Sequence, residues 1–110
     1  ALRKHDVGFI GIKPFASGTL FASQGAPDSA TKQEDDERAR LALRYVFSCD
    51  VLAASIPGLI TVDQVKNAAA AVRERRRLDV AEAARHAELT AAMWRQLPAQ
   101  YQWLRNWEWV

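Results

Sequence analysis

Cysteine is nearly absent from this chain. Cys49 is the single one in 110 residues, which excludes an internal disulfide and a cysteine-rich metal site. We read it as a buried thiol at a helix end, as expected of a cytoplasmic protein in a reducing compartment. Histidine is almost as scarce, with only His5 and His86. His86 has no metal ligand at helical spacing, so a solvated or capping side chain is expected and no metal. No apolar run approaches the ~20 residues of a membrane span, and nothing resembles a signal peptide. Neither a Walker loop nor a GxGxxG turn occurs; Gly8 and Gly11 lie inside an apolar stretch. Ser17, Ser23 and Ser55 lack a histidine and acid placed to activate them. The four acids at 34–37 point different ways around a helix and cannot converge on one atom. These absences exclude a self-sufficient catalytic constellation, so no catalytic residue is assigned.

The remaining composition is that of an ordinary water-exposed domain, 49% hydrophobic and 25% charged. A net charge of +2 is too small to imply nucleic acid. The length suits one small domain. The chain opens on Ala1 without an initiator Met, and we expect it to be a piece of something longer.

The organising stretch is 51–65. Leu52, Ala53, Ala54 and Ile56 form a short apolar run, expected as a strand covered on both faces. Pro57-Gly58 stops it, with Gly58 free to take a positive φ. Thr61 and Gln64 have the spacing of a capping box, so a helix begins there. A helix N-terminus at the carboxyl end of a parallel strand is where α/β proteins hold anions. Upstream, 7–12 is a second strand ended by Pro14. Residues 19–32 have no period and are expected as a surface loop, a binding lid or a mobile segment. Thr31 with Glu34 suggests another capping box, followed by a helix with the stripe Ala39, Ala42, Leu43, Val46 and Phe47. Strand, helix, strand, helix gives a parallel pair with a right-handed crossover.

The helix after Thr61 is expected to bury Val62, Val65, Ala69 and Val72. The basic run 73–77 closes it as a solvated terminus, since no aromatics are interleaved for nucleic-acid stacking. Asp79 with Glu82 starts a further helix whose inner face reads as Val80, Ala83, Ala84, Ala87, Ala91 and Trp94, and Pro98 ends it. In the tail, Trp103 and Trp107 lie one turn apart and suggest an aromatic clamp. No Lys/Arg cluster beside them favours a membrane.

Two motifs together resemble the C-terminal end of an aldo-keto reductase. They are Ile10-Gly-Ile-Lys-Pro-Phe-Ala-Ser-Gly18 and, one helix later, Ser55-Ile-Pro-Gly58 with Thr61-Val-Asp-Gln-Val65. The resemblance implies a partial (β/α)8 TIM barrel. Residues 1–78 would be its seventh and eighth β/α units, and 79–110 a C-terminal helical extension with an aromatic tail. It further implies an NADP- or NAD-dependent oxidoreductase. Pro14, Phe15, Ala16 and Gly18 match the loop along the cofactor pyrophosphate; Pro57, Gly58, Thr61 and Gln64 match the adenosine end. The family's catalytic tetrad lies on earlier strands, so this chain alone is expected to be inactive. Gly58, Ile60 and Gln64 are uncharged where many members carry basic groups, which weakens the case for NADP against NAD. Asn67-Ala68 stands where a Glu-Asn pair is usual.

A barrel needs about 250 residues, so two strands would leave open sheet edges. The expected partners are a dinucleotide and either the rest of a barrel or a second copy of this chain. The other reading of the sequence is a non-catalytic self-association module derived from such a fragment.

Overall fold

The computed structural model describes residues 1–23, 26 and 30–106. It is an α/β arrangement: β1 (Phe9–Ile12), α1 (Lys32–Phe47), β2 (Leu52–Ile56), α2 (Val62–Glu74) and α3 (Val80–Arg95). Short 3-10 segments lie at Arg3–His5, Ala16–Gly18 and Ala99–Asn106. The strands pair in parallel, with Ile10 opposite Ala54, Gly11 opposite Ser55 and Ile12 opposite Ile56. This is the expected α/β class, and two successive β/α units are compatible with a piece of a (β/α)8 barrel.

The sheet has one covered face. Gly11 lies inward, where an added Cβ would stand 3.2 Å from Leu52 Cδ1 and 3.7 Å from Val46 Cγ1 of α1. Ile10, Ile12 and Ile56 point the other way and are exposed, Ile12 by 67%. The expectation that β2 is covered on both faces is therefore wrong: its second face is bare. Continuous apolar strands of this kind are usual in sheets buried on both sides; here the described residues cover one side.

α1 is the hub and packs on β2, α2 and α3. Its buried residues are Leu41, Ala42, Leu43 and Arg44. Leu43 and Ala42 meet Phe15, Leu20 and Ala71 in the core, with Phe21, Leu59, Ala68 and Met93 around them. Phe15 and Leu20 come from the segment after β1. The expected surface loop therefore enters the core at Leu20, with Phe21 packed against it, before Ala22 returns to the surface.

The inner faces of α2 and α3 differ from those expected. α2 turns Ala71 inward and leaves Val62, at 69%, and Val65 exposed. α3 buries His86 and Leu89, while Val80 is 89% exposed and Ala83, Ala84, Ala87, Ala91 and Trp94 face solvent. The cause is Arg44. The residue is 5% exposed, and its guanidinium donates to Glu74 at 2.5 Å, to Glu82 and to the Ala71 carbonyl at 3.3 Å. A buried cation must find carboxylates, and satisfying it sets the rotation of α3 against the pull of its alanines. His86, one turn beyond Glu82, is carried inward to stack on Tyr45 at 4.4 Å. It is not the solvated histidine expected.

The helix starts are mixed. Thr61–Gln64 and Asp79–Glu82 both form capping boxes. Thr31–Glu34 does not: Thr31 makes no cap hydrogen bond, and Glu34 pairs with Arg38 at 2.5 Å. Much of the basic run is engaged internally. Arg75 meets Glu82 at 2.7 Å and Asp79 at 2.9 Å, Arg76 lies over the Phe47 ring, and Arg77 reaches Asp50 at 3.6 Å. Cys49 is exposed, contrary to its expected burial. Trp103 is exposed too, and its expected partner Trp107 lies outside the described residues. Among the described residues no helix is long and apolar enough to cross a membrane.

Removing the Arg44 side chain takes from Glu82 its buried partner, leaving Arg75 and the Asp79 amide, and empties the space between α1, α2 and α3. Arg44→Ala is expected to lower unfolding free energy by about 3 kcal/mol, read by urea denaturation.

Burial holds the His86 imidazole below its ordinary pKa of 6.5. The unfolded chain then binds this proton more readily, so its contribution to stability is complete above pH 6.5 and is lost as pH falls. The urea midpoint should fall between about pH 7 and about pH 5. His86→Phe, which keeps an aromatic against Tyr45, should flatten that dependence.

Candidate functional site

Because Ile12 and Ile56 are register partners in a parallel pair, the chain leaves both strands at the same edge of the sheet. The 13–18 turn and the 57–61 elbow therefore start side by side. Ligands of open α/β sheets bind in this crevice beyond the carboxyl ends of the strands.

The 13–18 turn is strained. Lys13 (φ 54°), Ala16 (φ 49°) and Ser17 (φ 55°) are left-handed without being glycine, and Gly18 follows at φ 87°. Each non-glycine residue there costs about 1–2 kcal/mol. The strain is held by Phe15 and Leu20 in the core and by the hydrogen bond from Thr19 Oγ1 to the Ala16 carbonyl at 2.7 Å. Left-handed backbone of this kind clusters where loops meet ligands.

The elbow is built on its own capping box. Gln64 Oε1 accepts from the amides of Ile60 at 2.7 Å and Thr61 at 3.2 Å, and Thr61 Oγ1 accepts from the Gln64 amide at 3.2 Å. The amides of Val62 and Asp63 are the first-turn donors that the box does not use. Gly58 does not take the positive φ expected of it. A Cβ built on it meets nothing within 4 Å, so its backbone borders open space.

A hollow lies between turn, elbow and α1. Phe15, Gly58 and Gln64 line it, as do Phe21, Leu59, Asn67, Asp35 and Asp36. Counted to its open mouth it spans about 510 Å³. The floor is shallow, about 40 Å³ on a measure by which one water takes roughly 10–15 Å³. A ligand would lie in the mouth, not in a closed chamber. Of the residues singled out from sequence, Phe15, Gly58 and Gln64 meet here, with Thr61 at the helix start beside them. Gly18 instead lines a separate, larger groove, about 1350 Å³ counted to its open mouth, against Met93, Gln96 and Tyr101. Pro14, Ala16 and Pro57 line neither space.

Sequence reasoning missed the two aspartates. Asp35 accepts from the amides of Ala22 at 2.7 Å and Ser23 at 3.3 Å, and from the Ser23 hydroxyl. It ties the chain at Ala22 and Ser23, just beyond the strained turn, to α1. Asp36 pairs with Lys32 at 2.6 Å. Asn67 donates to the Asp36 carbonyl at 2.8 Å and accepts from Arg40 at 2.6 Å, joining α1 to α2. The signal available was the spacing of Asp36 and Ala39 on one helix face. It was masked because the four acids at 34–37 read as side chains pointing different ways around the helix.

Among the described residues no group of three or more His, Cys, Asp or Glu could hold a metal. Compared with models of known protein families, with curated proteins and with solved structures, the chain matches none.

Proposed function

We propose that this chain carries part of the cofactor-binding end of an NAD(P)-dependent, aldo-keto reductase-like oxidoreductase, and that the catalytic groups lie on other polypeptide. The observation that supports the reading most is the meeting of the two motifs in space. Phe15 from the first and Gly58 and Gln64 from the second line one hollow at the carboxyl edge of a parallel strand pair. Phe15, Phe21 and Leu59 provide an apolar wall for a base, and the open backbone at Gly58 lets a ribose or phosphate approach. The cofactor would supply hydride transfer; these residues would only bind and orient it.

The partner reading has its own support. Ile10, Ile12 and Ile56 on the bare sheet face and Val62 and Val65 on α2 lie where further β/α units, or a second copy, would cover them.

Gly58→Leu tests the cofactor reading without disturbing the fold. Its side chain enters open space, so the thermal midpoint should stay unchanged, while calorimetric binding of NAD⁺ and NADP⁺ should be lost. Unchanged binding of either dinucleotide by this variant would refute the site.

A further inference from the structure

The apolar period of α3 marks one face for burial, and the fold leaves that face outside. Val80, Ala84, Ala87, Ala91 and Trp94 follow one another at steps of four and three residues, the spacing of a seam between two helices. Val80 and Trp94, the large residues at its two ends, are exposed, and so are the alanines between them. The helix turns its other side to α1 because Glu82 must meet Arg44. We infer that the outer face is an interface with a second copy of this chain, the two α3 helices lying antiparallel about a twofold axis at Ala87. It is separate from the hollow, which α3 does not line. It is separate from the bare sheet face too: α3 packs on α1, which covers the side of the sheet opposite Ile10, Ile12 and Ile56.

The sizes of the side chains select this partner and this direction. Alanines at the centre let two helix axes approach to about 8 Å, the near end of the usual range. At that separation a wide side chain fits only where its opposite is smaller. In an antiparallel pair Trp94 meets Val80 of the second copy, Ala84 lies near Ala91, and Ala87 meets itself. A parallel pair would set Trp94 on Trp94 and hold the alanines apart. Charge favours the same arrangement. Arg85 and Glu88 flank the seam on one side, 3.6 Å from each other. A twofold axis at Ala87 brings this flank of both helices together and sets Glu88 level with Arg85 of the second copy. Each carboxylate then stands between two guanidiniums. In a parallel pair the flank would face Ala83 and Thr90, which carry no charge. The seam is about 21 Å long and one helix wide, less than the ~800 Å² that a standard interface takes from each partner. The dimer is therefore weak and depends on concentration.

Sedimentation equilibrium of the full chain, from about 10 μM to about 1 mM, reads the association. The mass should rise with concentration from 12.3 kDa toward twice that value. Ala87→Glu puts a good helix former at a solvent-facing position of the monomer. It should weaken the dimer by about tenfold or more, with the thermal midpoint at the lowest concentration unchanged. Oxidation with copper phenanthroline in a Cys49→Ser background tests the direction. Ala87→Cys should form a disulfide-linked dimer. Val80→Cys should not, because its two copies stand about 21 Å apart along the helix axes, far beyond the ~7 Å that a disulfide spans between Cα atoms. A monomer throughout the concentration range, or a dimer that Ala87→Glu leaves equally tight, overturns the inference. Cross-linking through Val80→Cys as readily as through Ala87→Cys overturns the antiparallel arrangement.

Discussion

One buried guanidinium governs how the helices of this protein meet. Arg44 sits on α1, the helix that every larger element except β1 packs against, and it must be neutralised where water cannot reach it. Glu74 at the end of α2 and Glu82 in the first turn of α3 do so, with the Ala71 carbonyl as a third acceptor. Glu82 also meets Arg75 and the Asp79 amide. Burial alone would raise its pKa, but Arg75, the Asp79 amide and Arg44 together hold it below its ordinary value. The helical layer is thus joined by charge more than by large apolar side chains. Alanine-rich helices have little else to offer.

With α1 fixed, the rest of the site's placement follows. α1 covers one face of the strand pair through Val46 and leaves the other bare. Its first turns hold the segment after β1 through Asp35, and they hold α2 through Asp36, Arg40 and Asn67. Those contacts bring the strained 13–18 turn and the capped 57–61 elbow to the two walls of one hollow. Helix packing and candidate site are therefore the same set of contacts seen from two sides.

Local signals were legible in the sequence. The two strands, the parallel order, the boxes at Thr61 and Asp79 and the proximity of the two motifs all depend on residues within a few positions of each other, or on handedness rules that act regardless of detail. The faces of α2 and α3 were not legible. A period of apolar residues names the buried side only when burial of apolar area outweighs everything else, and Val80 or Ala84 cannot outweigh an unpaired arginine. His86 illustrates the same override: its burial follows from Glu82 one turn earlier. Thr31 was misread because Asp35 and Glu34 had stronger partners, a loop and Arg38, than a cap. The bare face of β2 was hidden because an apolar strand sequence does not say which of its faces is covered, and among the described residues α1 covers one of them.

The most direct measurement is an amide-resolved nuclear magnetic resonance titration of the full chain with NAD⁺. The account predicts shifts that move together in two separated stretches, Phe15 to Thr19 and Gly58 to Gln64, with smaller changes at Asp35 and Asp36. Shifts confined to the arginine run at 73–77, or movement of one stretch without the other, would contradict a shared site at the carboxyl edge of the strand pair.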